Sequence, residues 1–220
     1  SALDPLRWLR LGWRDFMRCP LPGVLHGLAL ALFGGTLFWL ARDQFWLLSG
    51  AFSGFLLVAP VLATGLYAVS RALQREGRAR LATALAAWRP RDSRLVVFGV
   101  LLAFAGTGWV MTSAALITGL APAPVRNPVE FLRVVMLADQ GHLFEIWLAL
   151  GGVLAAPVFA SSVVAIPLLL DREVGVLAAV FTSWRVVMDN PVAMALWAGL
   201  IMGLTLLGMA SLMLGLAIVV

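Results

Sequence analysis

Long apolar runs alternate along this chain with short arginine-bearing connections, and the lengths of the runs predict helices that cross a bilayer. A membrane-spanning helix needs about 20 largely apolar residues. Runs of that kind lie at 21–41, 45–70, 95–119, 143–170 and 192–209. A turn near Gly208–Ser211 would make 211–220 the start of a sixth span, and one long tilted helix is the rival reading. The expected fold is all-α: a polytopic transmembrane helix bundle occupying 1–220 as a single integral membrane domain, with five spans and the start of a sixth.

The connections carry a different pattern. Within 1–20, Arg7, Arg10, Arg14 and Arg18 recur at helical spacing beside an apolar stripe of Leu6, Leu9, Trp13, Phe16 and Met17. Such a segment predicts an amphipathic helix lying in the headgroup plane, apolar side down and arginines toward phosphates. Leu81, Leu85 and Trp88 repeat it weakly after Gly77, and Leu177, Phe181, Trp184 and Met188 repeat it clearly. Asn127-Pro128-x-Glu130 reads as an N-cap, first-turn proline and capping acid, opening a short helix through about Ala138. Asn190-Pro191 starts the last span in the same way.

These elements repeat. Ala59-Pro60-Val61-Leu62-Ala63-Thr64 returns as Ala156-Pro157-Val158-Phe159-Ala160-Ser161, followed in each case by a Trp-Arg pair, Trp88-Arg89 or Trp184-Arg185. Trp13-Arg14-x-x-Met17-x-x-Pro20 has the spacing of Trp184-Arg185-x-x-Met188-x-x-Pro191. The expected unit is an interfacial helix, an outward span, and an inward span kinked at Pro60 or Pro157, where Thr64 or Ser161 satisfies a freed carbonyl. The second and fourth spans run the same way, so the repeats are parallel.

Composition agrees with lipid as the solvent: 62% of residues are apolar and 12% charged, against about half and a quarter in soluble domains. All sixteen basic residues are arginine, and the net charge is +5. They flank apolar spans, which fits topology and anionic headgroups and not nucleic acid. On alternate sides they divide thirteen against three, placing the N-terminus in the cytoplasm of a bacterial inner membrane. The lone Cys19 excludes an internal disulfide framework and reads as a reduced, idle thiol. No cleavable signal peptide is evident. The start at Ser1 and the stop at Val220 inside an apolar run read as incomplete ends.

Candidate chemistry is sparse. His26 and His142 fall near opposite faces in this topology, so they do not form an axial pair. A structural or interfacial role is the favoured reading for each, with a single-His contact to haem or chlorophyll in a larger complex as the alternative. The acids all lie at span ends or in loops, unlike the buried ionisable groups of proton relays and coupled transporters. Asp171-Arg172-Glu173 reads as an anchor in which arginine caps the carbonyls of the exiting helix, with Ser70-Arg71 in the equivalent position after the second span. Gly50/Gly54, Gly152/Ala156, Gly199/Gly203 and Ser211/Gly215 allow close helix packing. No phosphate loop, dinucleotide fingerprint, zinc spacing or nucleophile elbow is present. Catalytic residues, metals and cofactors are therefore not expected. The structural or docking candidates are Trp13, Arg14, Pro60, Arg71, Trp88, Arg89, Pro157, Asp171, Arg172, Trp184 and Arg185.

Leu66-Tyr67-x-x-Ser70-Arg71 with Glu76-Gly77, Asp171-Arg172-Glu173-Val174, Thr182-Ser183 with Asn190-Pro191, and Trp197 with Ile201 resemble a bacterial family of predicted integral membrane proteins, domain of unknown function 2189. The resemblance covers most of the chain and implies a small multi-span inner-membrane protein with no established activity. The function expected from the whole reading is a non-catalytic accessory or assembly subunit of an inner-membrane complex, respiratory or photosynthetic, whose partners are membrane lipids and other subunits. The alternative is a carrier or exporter of an apolar or lipid-like solute, lined by Thr36, Ser53, Thr64, Thr107, Ser161 and Ser162.

Overall fold

A computed structural model describes residues 2–41, 63–87, 93–137 and 142–210. Every element among them is helical: α1 Asp4–Arg18, α2 Pro20–Ala41, α3 Thr64–Glu76, α4 Leu81–Ala87, α5 Ser93–Leu120, α6 Pro128–Phe131, α7 Leu143–Ser162, α8 Ala165–Asp171, α9 Val176–Asp189 and α10 Pro191–Ala210. A π-helical turn, Leu132–Met136, follows α6 directly. Most of the expected 45–70 span, with Pro60, lies outside the described residues, as do Trp88, Arg89 and the expected sixth span at 211–220.

Three described stretches are long and apolar enough to cross a membrane: Ser93–Leu120, Leu143–Asp171 and Pro191–Gly208. A fourth is counted if the bent pair Asp4–Arg18 and Pro20–Thr36 is one span. That pair turns through 102° at Cys19. Pro20 is the cause: its ring disfavours helical backbone at the preceding residue, and Cys19 sits at φ −144°, ψ 71°. The Cys19 N–H closes α1 on the carbonyls of Asp15 and Phe16.

Two compact units divide the chain. The first comprises the described residues of Ser1–Phe33, Pro60–Val96 and Ala160–Val220. Here α3 ends at Gly77, whose φ of 71° is the left-handed conformation that lets its N–H reach the Leu73 carbonyl. The chain then returns as α4, burying Val69, Leu73 and Ala84 together, with Cys19 and Ala79 against them. Arg71 and Arg75, expected in a loop, lie on α3, because the helix continues past Ser70 to Glu76.

In the same unit α8 packs on α9, with Ala165, Ile166, Leu169, Ala179 and Ser183 buried. Pro157 lies inside α7, and the helix continues through it. The interruption comes at residues 163–164. Pro167 accounts for it: its missing N–H and its ring both fall on the carbonyl four residues back, at Val163.

The second unit comprises the described residues of Gly34–Ala59 and Val97–Phe159. On α5 the buried positions are Phe98, Leu102, Gly106, Ser113 and Ile117, a single stripe at helical spacing. Around that stripe Leu101, Phe104 and Met111 are exposed, which is the pattern of a helix with lipid over most of its surface. Thr107, Thr112 and Thr118 are also outward, and each hydroxyl donates to a carbonyl four residues back, those of Ala103, Gly108 and Ala114. A hydroxyl facing hydrocarbon is thereby satisfied without water.

Candidate functional site

The densest polar construction in the first unit surrounds the end of α8. The Asp171 carboxylate accepts from Arg71 Nε at 3.0 Å and Arg75 Nη2 at 2.7 Å, both from α3. Arg71 also donates from Nη1 to the Leu170 carbonyl at 2.7 Å. Arg94, on the first turn of α5, donates to the Val174 carbonyl at 2.6 Å and the Arg172 carbonyl at 3.3 Å. Three arginines from two helices thus hold the four-residue crossing from α8 to α9. The carbonyls at the end of α8 lack partners in their own helix, so guanidinium groups suit them in both charge and hydrogen bonding.

Sequence reading singled out Arg71, Asp171 and Arg172 here, and the structure brings Arg71 and Asp171 together. It assigns the carbonyl capping differently. Arg71 and Arg94 cap, and the backbone of Arg172 is the group being capped. Arg75 and Arg94 were not singled out, because only their position in space distinguishes them from other arginines at span ends.

Further hydroxyl contacts tie the same unit together. Ser70 Oγ donates to Asp15 Oδ2, linking α3 to α1 and leaving Asp15 only 7% exposed. Trp184 Nε1 donates to Ser161 Oγ at 2.9 Å, linking α9 to α7. The fully buried Ser183 accepts the Val164 N–H at 3.1 Å, capping the start of α8 from a neighbouring helix. The rings of Trp8 on α1 and Trp197 on α10 meet edge to face, 5.7 Å between centroids. Trp13 stacks on Phe16 of its own helix and remains 52% exposed. Arg14 is exposed, and Arg185 lies 3.7 Å from Asp189 one turn along α9.

The second unit contains an aromatic cluster at the end of α5. Trp147 of α7 donates from Nε1 to Ser113 Oγ at 2.7 Å, and the rings of Trp109, Phe131 and Phe144 surround it. Gly151 makes room for it: a Cβ there would lie 3.0 Å from the Trp109 ring. Ile117, Val135 and Leu143 form the buried base. Asn127 caps α6, its Oδ1 accepting the Glu130 N–H at 2.9 Å, while Glu130 accepts the Arg126 N–H at 2.6 Å. The short helix expected from Asn127 onward runs over 128–136, changing after Phe131 to a π-helical turn closed by the Leu137 N–H on the Leu132 carbonyl.

The two histidines belong to different units. His26 donates from Nδ1 to the Pro22 carbonyl at 2.8 Å, an arrangement internal to α2. His142 is exposed, with Nδ1 3.8 Å from a Glu145 carboxylate oxygen. No three His, Cys, Asp or Glu side chains converge among the described residues.

The sequence model described as predicted integral membrane protein (DUF2189) matches residues 47–171. No curated protein and no solved structure matches the chain.

Proposed function

This chain belongs to the DUF2189 family of predicted integral membrane proteins, and we propose that it is a non-catalytic accessory or assembly subunit of a larger complex in a bacterial inner membrane. The observation that carries this reading is how the polar groups of the apolar helices are used. Ser113, Ser161 and Ser183 join helices, and Thr107, Thr112 and Thr118 bond their own helix. The outward faces that remain are broad and apolar, including Phe104, Met111, Val153, Phe181, Met188 and Leu207. Polar chemistry is spent on building the scaffold, and the surface left over suits lipid and neighbouring transmembrane helices.

In this proposal the N-terminus is cytoplasmic, the first four spans form two parallel repeats, the fifth span and the start of a sixth begin a third unit, and α1 and α9 lie in the inner headgroup layer. The 102° turn at Cys19 supports that placement, since a spanning α2 sets α1 close to the bilayer plane. The test is solubilisation of native membranes in mild detergent followed by native electrophoresis. Co-migration with other subunits in fixed stoichiometry is expected. A stable isolated monomer that retains an activity overturns the proposal.

The carrier reading draws support from the interruption in Leu143–Asp171, since broken spans form solute sites in transporters. Its proposed lining is less favourable. Ser161 is engaged by Trp184, and Thr36 and Thr107 are outward. Counterflow of an apolar solute into vesicles carrying the purified chain tests it, and flux no greater than in empty vesicles removes it.

A further inference from the structure

We propose that the arginine face of α1 is a binding site for the headgroup phosphates of anionic phospholipids, an inference that rests on the placement of α1 in the headgroup layer. Arg7, Arg10, Arg14 and Arg18 are all exposed. No hydrogen bond or ion pair joins their guanidinium groups to a described residue. Of the two acids on the helix, Asp15 is buried and receives the Ser70 hydroxyl, while the half-buried Asp4 stands one turn before Arg7. Arg10, Arg14 and Arg18 therefore have no exposed acid beside them on α1.

The geometry of the other faces decides the occupant. One side of α1 is held by protein, through Trp8 on Trp197, Asp15 on Ser70, and the Cys19 thiol to the Ala79 carbonyl. Away from it lie Leu6, Leu9, Trp13 and Met17, apolar and exposed. At 3.6 residues per turn the arginine stripe falls about a quarter-turn from that apolar stripe. A soluble polyanion would meet the guanidinium groups but leave the adjoining apolar side chains in water. A phospholipid satisfies both, with its acyl chains along Leu6, Leu9, Trp13 and Met17 and its phosphate on the arginines. Anionic headgroups are favoured over zwitterionic ones because Arg10, Arg14 and Arg18 have no exposed acid beside them on α1 to pair with a choline or ethanolamine cation.

The test uses the full chain in phosphatidylcholine bilayers that contain phosphatidylglycerol, with retained lipid counted by native mass spectrometry. Preferential retention of phosphatidylglycerol is expected, weakening by about fivefold for each arginine changed to glutamine among Arg7, Arg10, Arg14 and Arg18. Raising the salt concentration on the unaltered protein should also erode the preference, which keeps the test independent of how the variants fold. Equal retention of the two lipids overturns the proposal, and so does a preference that ignores salt or one abolished by free inorganic phosphate. A fluorophore at Met17→Cys in a Cys19→Ser background separates the two layers of inference. Quenching by brominated acyl chains without a phosphatidylglycerol preference removes the lipid site alone. Absence of quenching removes the interfacial placement and the site with it.

Discussion

Substituting the members of the arginine clasp one at a time should give a fixed order of destabilisation, because the three side chains make contacts of different kinds. Asp171 receives Arg71 and Arg75 with side chains 41%, 40% and 58% exposed, so solvent screens both pairs. Pairs of that exposure contribute about 0.2–1 kcal/mol each. Asp171→Asn should therefore cost about 1 kcal/mol, and Arg75→Ala less than that. Arg71 also donates to the half-buried Leu170 carbonyl at 2.7 Å. A charged donor on such an acceptor contributes about 1.5–3 kcal/mol, which brings Arg71→Ala to about 2–4 kcal/mol. The measurement is equilibrium unfolding followed by tryptophan fluorescence in a single detergent, at low and high salt. High salt should shrink the Asp171→Asn deficit and leave most of the Arg71→Ala deficit intact. An Asp171→Asn loss equal to or greater than that of Arg71→Ala would refute the assignment of Arg71 as a carbonyl cap.

Ser183→Ala leaves the Val164 N–H without its acceptor in a buried site, so a loss of about 1–3 kcal/mol is expected, with faster amide exchange at the start of α8. A change of a few tenths or less would show that water replaces the serine. Gly77→Ala should cost about 1–2 kcal/mol from backbone strain alone, since nothing lies within 4 Å of the new Cβ. Gly77→Asn should cost less, and equal losses would count against the left-handed cap. Gly151→Val drives a side chain into the Trp109 ring and should cost about 1–3 kcal/mol with a shift in tryptophan emission. The neighbouring Gly152, with nothing within 4 Å of its Cβ, is the control: an equal loss in Gly152→Val would show that helix propensity, not the ring, sets the cost.

The helical, membrane-embedded character was legible because it is written in local pattern. A run such as 95–119 carries no charged residue and is mostly apolar, and Ser93–Leu120 is the corresponding helix. The capping role of Asn127 was legible for the same reason, since its partner is only three residues away. The clasp was not. Arg71 and Asp171 are brought together by the packing of α3 against α8, and no periodicity in either segment names the other. Ser183 likewise stood out only within the Thr182-Ser183 motif, and nothing in the sequence named Val164 as its partner. The interruption near Val164 is a different case, because its signal was present. Pro157 drew attention through its place in a repeated phrase, yet the helix carries through it. Pro167, outside the phrase, points to the carbonyl at which hydrogen bonding stops.

The contact between Trp8 and Trp197 fixes an order of events during biosynthesis. Trp8 leaves the ribosome well before its ring partner, which emerges only after everything between them has been made. Until then α1 has no aromatic neighbour on α10, and its own exposed leucines and arginines are suited to a wait at a bilayer surface. Ring-to-ring docking therefore has to follow the synthesis of α10, however early α1 itself becomes helical.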